Sequence, residues 1–121
     1  TFNHPFFQDL PWDGNKYYKM MHGRQETLDR MIREGVVNKN KPHHLLGCGL
    51  PQEFKAYIDL NWIDSLDTSN PVIHGIKDIY YSSEGLTDKE SVKLYTMMND
   101  DVNKNWPAIH YNILAFRSMC Q

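Results

Sequence analysis

His43-His44-Leu45-Leu46-Gly47-Cys48-Gly49 is a short apolar run set between Pro42 and Pro51. Proline lacks the N–H that a ladder or a helix interior needs, so the two prolines bound the run on both sides. Its apolar residues do not alternate with polar ones. That pattern belongs to a strand covered on both faces, as in a parallel sheet. Pro51 then suits the first turn of a helix, where the missing N–H is lost anyway. Phe54, Tyr57 and Ile58 give that helix one apolar face. Residues 62–66, Trp-Ile-Asp-Ser-Leu, read as a second short strand. Asp67-Thr68-Ser69-Asn70-Pro71 reads as a polar turn, rich in side chains that bond the backbone.

Upstream, Tyr17, Met21, Leu28, Met31 and Ile32 follow helical spacing over 16–34, with Lys19, Arg24, Asp29 and Arg33 off that face. Gly35 is placed as the C′ stop. Residues 1–15 carry aromatics and turn formers and are expected to be an ordered loop that begins as a strand end over 1–7. Downstream, Thr87 and Glu90 form a capping box for a helix over 88–100, with Val92, Tyr95 and Met98 on its inner face. Pro107 sits early in a last helix that carries Ile109, Ile113 and Phe116. Short apolar strands alternating with helices imply parallel pairing and right-handed crossovers. The chain is expected to be one partial domain: loop and strand end over 1–15, βα units over 16–75 and terminal helices over 76–121. Two or three parallel strands leave edges that need a partner.

The composition narrows the class. The 121 residues are 40% hydrophobic and 23% charged, with a net charge of −2. That balance gives no general polyanion-binding field, although Lys39, Lys41, His43 and His44 make one small basic cluster, with the two lysines reading as a solvated turn. Two cysteines are too few for a disulfide framework, so Cys48 and Cys120 are read as free thiols in a reducing, cytoplasmic setting. No stretch is apolar enough for a membrane span. His43, His44, His74 and His110 fit no standard zinc spacing, so no metal and no cofactor is expected. The first residue is Thr1, which is read as a sign of processing or of a longer parent chain.

Ligands of parallel α/β folds sit at the C-terminal ends of the strands. Here those ends are Gly47-Cys48-Gly49 and the segment from Asp64 to Pro71. Glycines 47 and 49 allow backbone to approach a planar ligand closely. Asp67 stands where a carboxylate nucleophile or general base belongs. The same residues also have plainer uses: the glycines can serve a tight turn, and Asp67-Thr-Ser-Asn can cap a helix.

The segment His44-Leu-Leu-Gly-Cys-Gly-Leu-Pro51, followed by Trp62-Ile-Asp64-Ser-Leu-Asp67, resembles the last part of the tRNA-guanine transglycosylase barrel. That family has a strand, a Gly-x-Gly-x-Pro turn, a helix, and a strand ending in two aspartates three residues apart. Together with Thr68-Ser-Asn-Pro-Val-Ile-His-Gly75, the stretch also looks like phage proteins of this barrel type. These are relatives of enzymes that place deazaguanine bases in DNA or RNA. The resemblance implies the C-terminal βα units and terminal helices of a parallel (β/α)8 (TIM) barrel. It implies a pentosyltransferase that exchanges guanine for a deazaguanine base in tRNA or DNA. Asp67 would be the catalytic nucleophile. Leu46, Gly47, Cys48, Gly49, Asp64, Thr68, Ser69 and Asn70 would bind substrate. The N-terminal half of the barrel, or a second subunit, would be the protein partner.

The sequence departs from the family after Asp67, where Thr68-Ser69-Asn70-Pro71 replaces a Cys, an apolar residue and Pro-Thr-Arg. It also lacks the family's cluster of three cysteines and a histidine. Two other readings follow from these residues. One is a non-catalytic barrel remnant used as an assembly module. The other is a sugar-phosphate enzyme whose phosphate sits on Thr68, Ser69 and nearby amides.

Overall fold

Helix α1 spans Lys16–Arg33 and ends in a double hydrogen bond. Val36 N donates to Met31 O at 3.0 Å and Gly35 N to Ile32 O at 3.1 Å. This is a Schellman ending, and Gly35 supplies its left-handed residue at φ 69°. The structure is a computed structural model, and it describes residues 16–86, 88, 90, 94–99 and 101–121. The expected strand end at 1–7 lies outside the described residues.

Strand β1, His43–Leu45, pairs in parallel with β2, Ile63–Leu66. A seven-residue 310 helix, Pro51–Tyr57, crosses between them, where an α-helix was expected. The described residues form this one two-stranded sheet. Helix α2, Asn70–Ile76, follows β2 almost directly, so the expected polar turn is cut short at Ser69. Helix α3, Trp106–Met119, packs across α2.

The core lies between α1 and the strands. Leu28, Tyr57 and Trp62 are its buried centre, and Ile32, Val37, Leu45, Leu60, Ile63 and Leu66 pack around them. Phe54 meets Phe116 edge-on at 4.4 Å, joining the 310 helix to α3. Where α2 crosses α3, Gly75 lies directly against Ile109.

Three expectations change. Strand β1 stops at Leu45 rather than Gly49, because Gly47 adopts φ 70° and cannot continue a strand. Between 88 and 100, the regular structure among the described residues is a 310 turn, Leu94–Met97. Its buried residue is Met97, whereas Tyr95 and Met98 are 68% and 82% exposed. Thr87 and Val92, on which the capping box and inner face rested, lie outside the described residues. In the last helix Ile109 is buried as expected, but Ile113 is 39% exposed.

Candidate functional site

The C-terminal ends of β1 and β2 meet at Gly47-Cys48-Gly49 and Asp67. The positive φ of Gly47 turns two successive amides toward the same neighbour. Gly47 N donates to Asp67 Oδ1 at 2.5 Å, and Cys48 N to the Asp67 carbonyl at 3.1 Å. The first is a short, charge-assisted bond.

Every other main-chain polar group of the turn is also engaged. Arg24 Nη2 donates to Gly47 O at 3.0 Å. Thr68 Oγ1 donates to Cys48 O at 3.0 Å. Gly49 N donates to Glu53 Oε2 at 3.3 Å, and Asn70 Nδ2 to Gly49 O at 2.8 Å. The turn is therefore held from α1, the 310 helix, the loop after β2 and α2 together. Its amides already have partners. A planar ligand here would meet glycine Cα faces and carbonyl lone pairs, and the side of the turn where Cβ atoms of Gly47 and Gly49 would project is open.

Behind the turn lies a buried ionic cluster that the sequence did not announce. The Arg24 Nε and Glu53 Oε1 atoms are 3.3 Å apart, and both side chains are nearly fully buried. Arg24 Nη1 donates to Cys48 Sγ at 3.3 Å. Tyr57 OH donates to Glu53 Oε1 at 2.9 Å. Burial raises the Glu53 carboxyl above its usual range, and Arg24 opposes that shift only in part. Burial pushes the Cys48 thiol up to about 12, with the Glu53 charge adding to it. Burial and Glu53 also push the Tyr57 phenol upward. Cys48 is thus an un-ionised thiol at neutral pH and a poor nucleophile.

Arg24 was placed off the apolar face of α1. Yet Met21, Arg24 and Leu28 are spaced three and four apart and share one buried stripe. Glu53 and Tyr57 likewise stand four apart. Those spacings were the signal that could have found the cluster.

On the outer face, Asp67 is 52% exposed on its side chain. His44 Nε2 lies 3.5 Å from Asp67 Oδ1, and His44 Nδ1 lies 2.8 Å from Ser65 Oγ. Oδ1 of Asp67 is thus held from two sides, and Oδ2 has no partner among the described residues. Asp64 does not join this group. Its Oδ2 accepts from His43 N at 3.0 Å, at the start of the strands. Ser69 is exposed at the N-cap of α2, with no side-chain capping bond. Leu46 is 52% exposed beside the turn.

Asn70 ties the site to the rest of the chain. It is 1% exposed, and Tyr81 OH donates to its Oδ1 at 2.5 Å. His74 Nδ1 lies 3.0 Å from Asn70 O, while Glu90 N donates to His74 Nε2 at 3.2 Å. These two contacts put the His74 proton on Nδ1. Among the described residues, no three His, Cys, Asp or Glu side chains converge in a way that could hold a metal ion. Among them, too, no helix is long and apolar enough to cross a membrane. No protein family, curated protein or solved structure matches this chain.

Proposed function

We propose that this chain is the C-terminal part of a (β/α)8-type pentosyltransferase that replaces guanine by a deazaguanine base in tRNA or DNA, with Asp67 as nucleophile. One observation carries the reading. At the C-terminal end of a parallel strand, one oxygen of a half-exposed aspartate is fixed by a backbone amide while the other is open. A carboxylate held in that way is oriented without being consumed.

In the proposed reaction Asp67 Oδ2 attacks C1′ of the guanosine. The C1′–N9 bond breaks, its electron pair leaves with guanine, and a glycosyl ester forms on Asp67. The incoming deazaguanine then attacks C1′ through its N9 and expels the Asp67 carboxylate, while its N9 proton passes through solvent to the released guanine anion. Two inversions retain configuration at C1′. Leu46 and the Gly47–Gly49 turn would form one wall of the base site, with Thr68, Ser69 and Asn70 following the nucleophile.

The edges of the sheet support a larger body. A two-stranded parallel sheet is marginal alone, and parallel strands are normally covered on both faces. Trp106, Tyr111 and Leu114 of α3 also stand about half exposed. In this reading the rest of the barrel, or a second subunit, meets these surfaces. The two free cysteines fit a cytoplasmic enzyme.

The test uses the full-length polypeptide that carries this chain. It is incubated with guanine-containing tRNA and, separately, DNA, then run on a denaturing gel. Wild type forms a covalent protein–nucleic acid adduct with one of them, and Asp67→Asn forms none, since a carboxamide cannot make the ester. An adduct from Asp67→Asn at the wild-type level would falsify the assignment.

A further inference from the structure

We infer that Arg24 is a positioning residue for Asp67, acting from α1 through the Gly47 peptide. This rests on the reading of Asp67 as the reacting group.

Arg24 is 6% exposed and Glu53 is 2% exposed. Burying an ion pair loses hydration that the pair's own attraction often fails to repay, and apolar residues of equal volume frequently do as well. Stability is therefore a poor explanation for a charged pair at this spot. The contacts suggest another. Arg24 reaches the turn twice, at Gly47 O (3.0 Å) and Cys48 Sγ (3.3 Å). Its partner Glu53 reaches the same turn from the other side, at Gly49 N. The pair grips three consecutive residues.

The grip is transmitted. Gly47 O and Cys48 N belong to one rigid peptide plane. Arg24 holds the oxygen end, and the nitrogen end donates to Asp67 O at 3.1 Å. That plane and the one carrying the Gly47 N–H meet at the Gly47 Cα, so with the first plane held only the φ and ψ of this glycine separate it from the second, whose N–H bonds Asp67 Oδ1. Without Arg24 the glycine has no side chain to hold the conformation, and the amide can swing away. The carboxylate loses its anchor, and the attacking oxygen loses its direction.

The experiment compares wild type, Arg24→Met and the double variant Arg24→Met/Glu53→Gln in the full-length protein. The double variant removes both charges, so it avoids stranding one of them in the interior. Far-UV circular dichroism establishes that each is folded. The first readout is the Gly47 amide in a 1H–15N spectrum. In wild type its proton is shifted downfield by the short bond to Asp67, and it moves upfield in Asp67→Asn. The folded double variant shows the same upfield move with Asp67 still present. A Gly47 amide that stays in its wild-type position in the double variant overturns the proposal.

The second readout is adduct formation. The rate is expected to fall on the order of tenfold, since a displaced reacting group loses rate steeply, with nucleic-acid affinity unchanged. A weakened affinity with an unchanged rate also overturns the proposal. If wild type forms no adduct at all, the base-exchange reading fails, and the Gly47 signal alone decides whether Arg24 positions Asp67.

Discussion

Gly75→Ala tests how closely the site depends on the α2–α3 crossing. A Cβ built on Gly75 would lie 2.5 Å from both Cα and Cγ1 of Ile109 and 2.6 Å from its backbone nitrogen. Carbon atoms in contact prefer about 3.5–4.0 Å, so the methyl lacks roughly 1 Å of room. Two of the three atoms are backbone, so no rotamer change relieves the clash. The helices themselves must separate. Overpacking of this kind costs about 1–3 kcal/mol, and the rigid neighbour places this case near the upper end. For a chain of this size that is a fall in Tm on the order of 5–12 °C. Gly49→Ala is the control. A Cβ there meets nothing within 4 Å, and its φ lies outside the left-handed region. That variant stays level with wild type or gains a few tenths of a kcal/mol through the unfolded chain. The assay is urea and thermal unfolding followed by far-UV circular dichroism. If Gly75→Ala melts together with Gly49→Ala, then α2 and α3 are not packed this closely and the reasoning fails.

Two further outcomes follow from the polar interior. Asn112, fully buried, accepts from Tyr81 N at 2.9 Å and donates to Ile79 O at 2.8 Å, so Asn112→Ala should lose about 2–4 kcal/mol by urea titration as both main-chain groups lose their partner; a loss below half a unit would show that water replaces the side chain. Burial raises the folded-state pKa of Glu53 above its ordinary value of 4.5, so between the two values the folded chain binds more protons than the unfolded one. Stability contributed by Glu53 is then greatest in acid and declines as pH rises from about 4.5 through the raised folded value. Unfolding free energies of wild type minus Glu53→Gln, measured across that range, should fall with pH, and a difference that rises contradicts the burial argument.

The local devices were legible in the sequence, and the long-range ones were not. Gly35 after a periodic run announced its own role, because a helix stop depends on residues within one turn. The strands at 43 and 63 and their parallel pairing could be read because bounded apolar runs with a helix between them leave few arrangements. Arg24 was harder to read, although its spacing from Met21 and Leu28 puts it on their buried stripe. Arginine on a helix defaults to the solvent face, and only a carboxylate from another element makes its burial tolerable. Asn112, and the buried role of Asn70 that the sequence offered only as a turn and substrate-side residue, escaped for a related reason. Each satisfies backbone groups exposed by an irregular stretch, and which stretch is irregular is decided by packing. Among the described residues of 88–100 the buried side differs from the expected one, because an apolar face is fixed by what packs against it. Here Met97 is buried, and Tyr95 and Met98 are not.

The position of Asp67 depends on an irregularity that the sequence contains but does not advertise. Side chains alternate faces along a strand, so residues separated by an odd number point oppositely. Ile63 and Leu66 nevertheless both pack into the core. They can do so because the pairing slips between His43 and His44: His43 faces Ile63, but His44 faces Ser65, leaving Asp64 as an extra residue. Asp64 uses its carboxylate to accept the His43 amide beside the slip. A regular ladder starting with Ile63 inward would point residues 65 and 67 inward as well, and Asp67 would be a charge in the core. The bulge reverses the alternation, so that Leu66 goes in while Ser65 and Asp67 emerge beside His44. Of the two aspartates three residues apart, one therefore makes the irregularity and the other is turned outward by it. The spacing that first singled out this pair has a structural basis in the strand itself, whatever chemistry Asp67 performs.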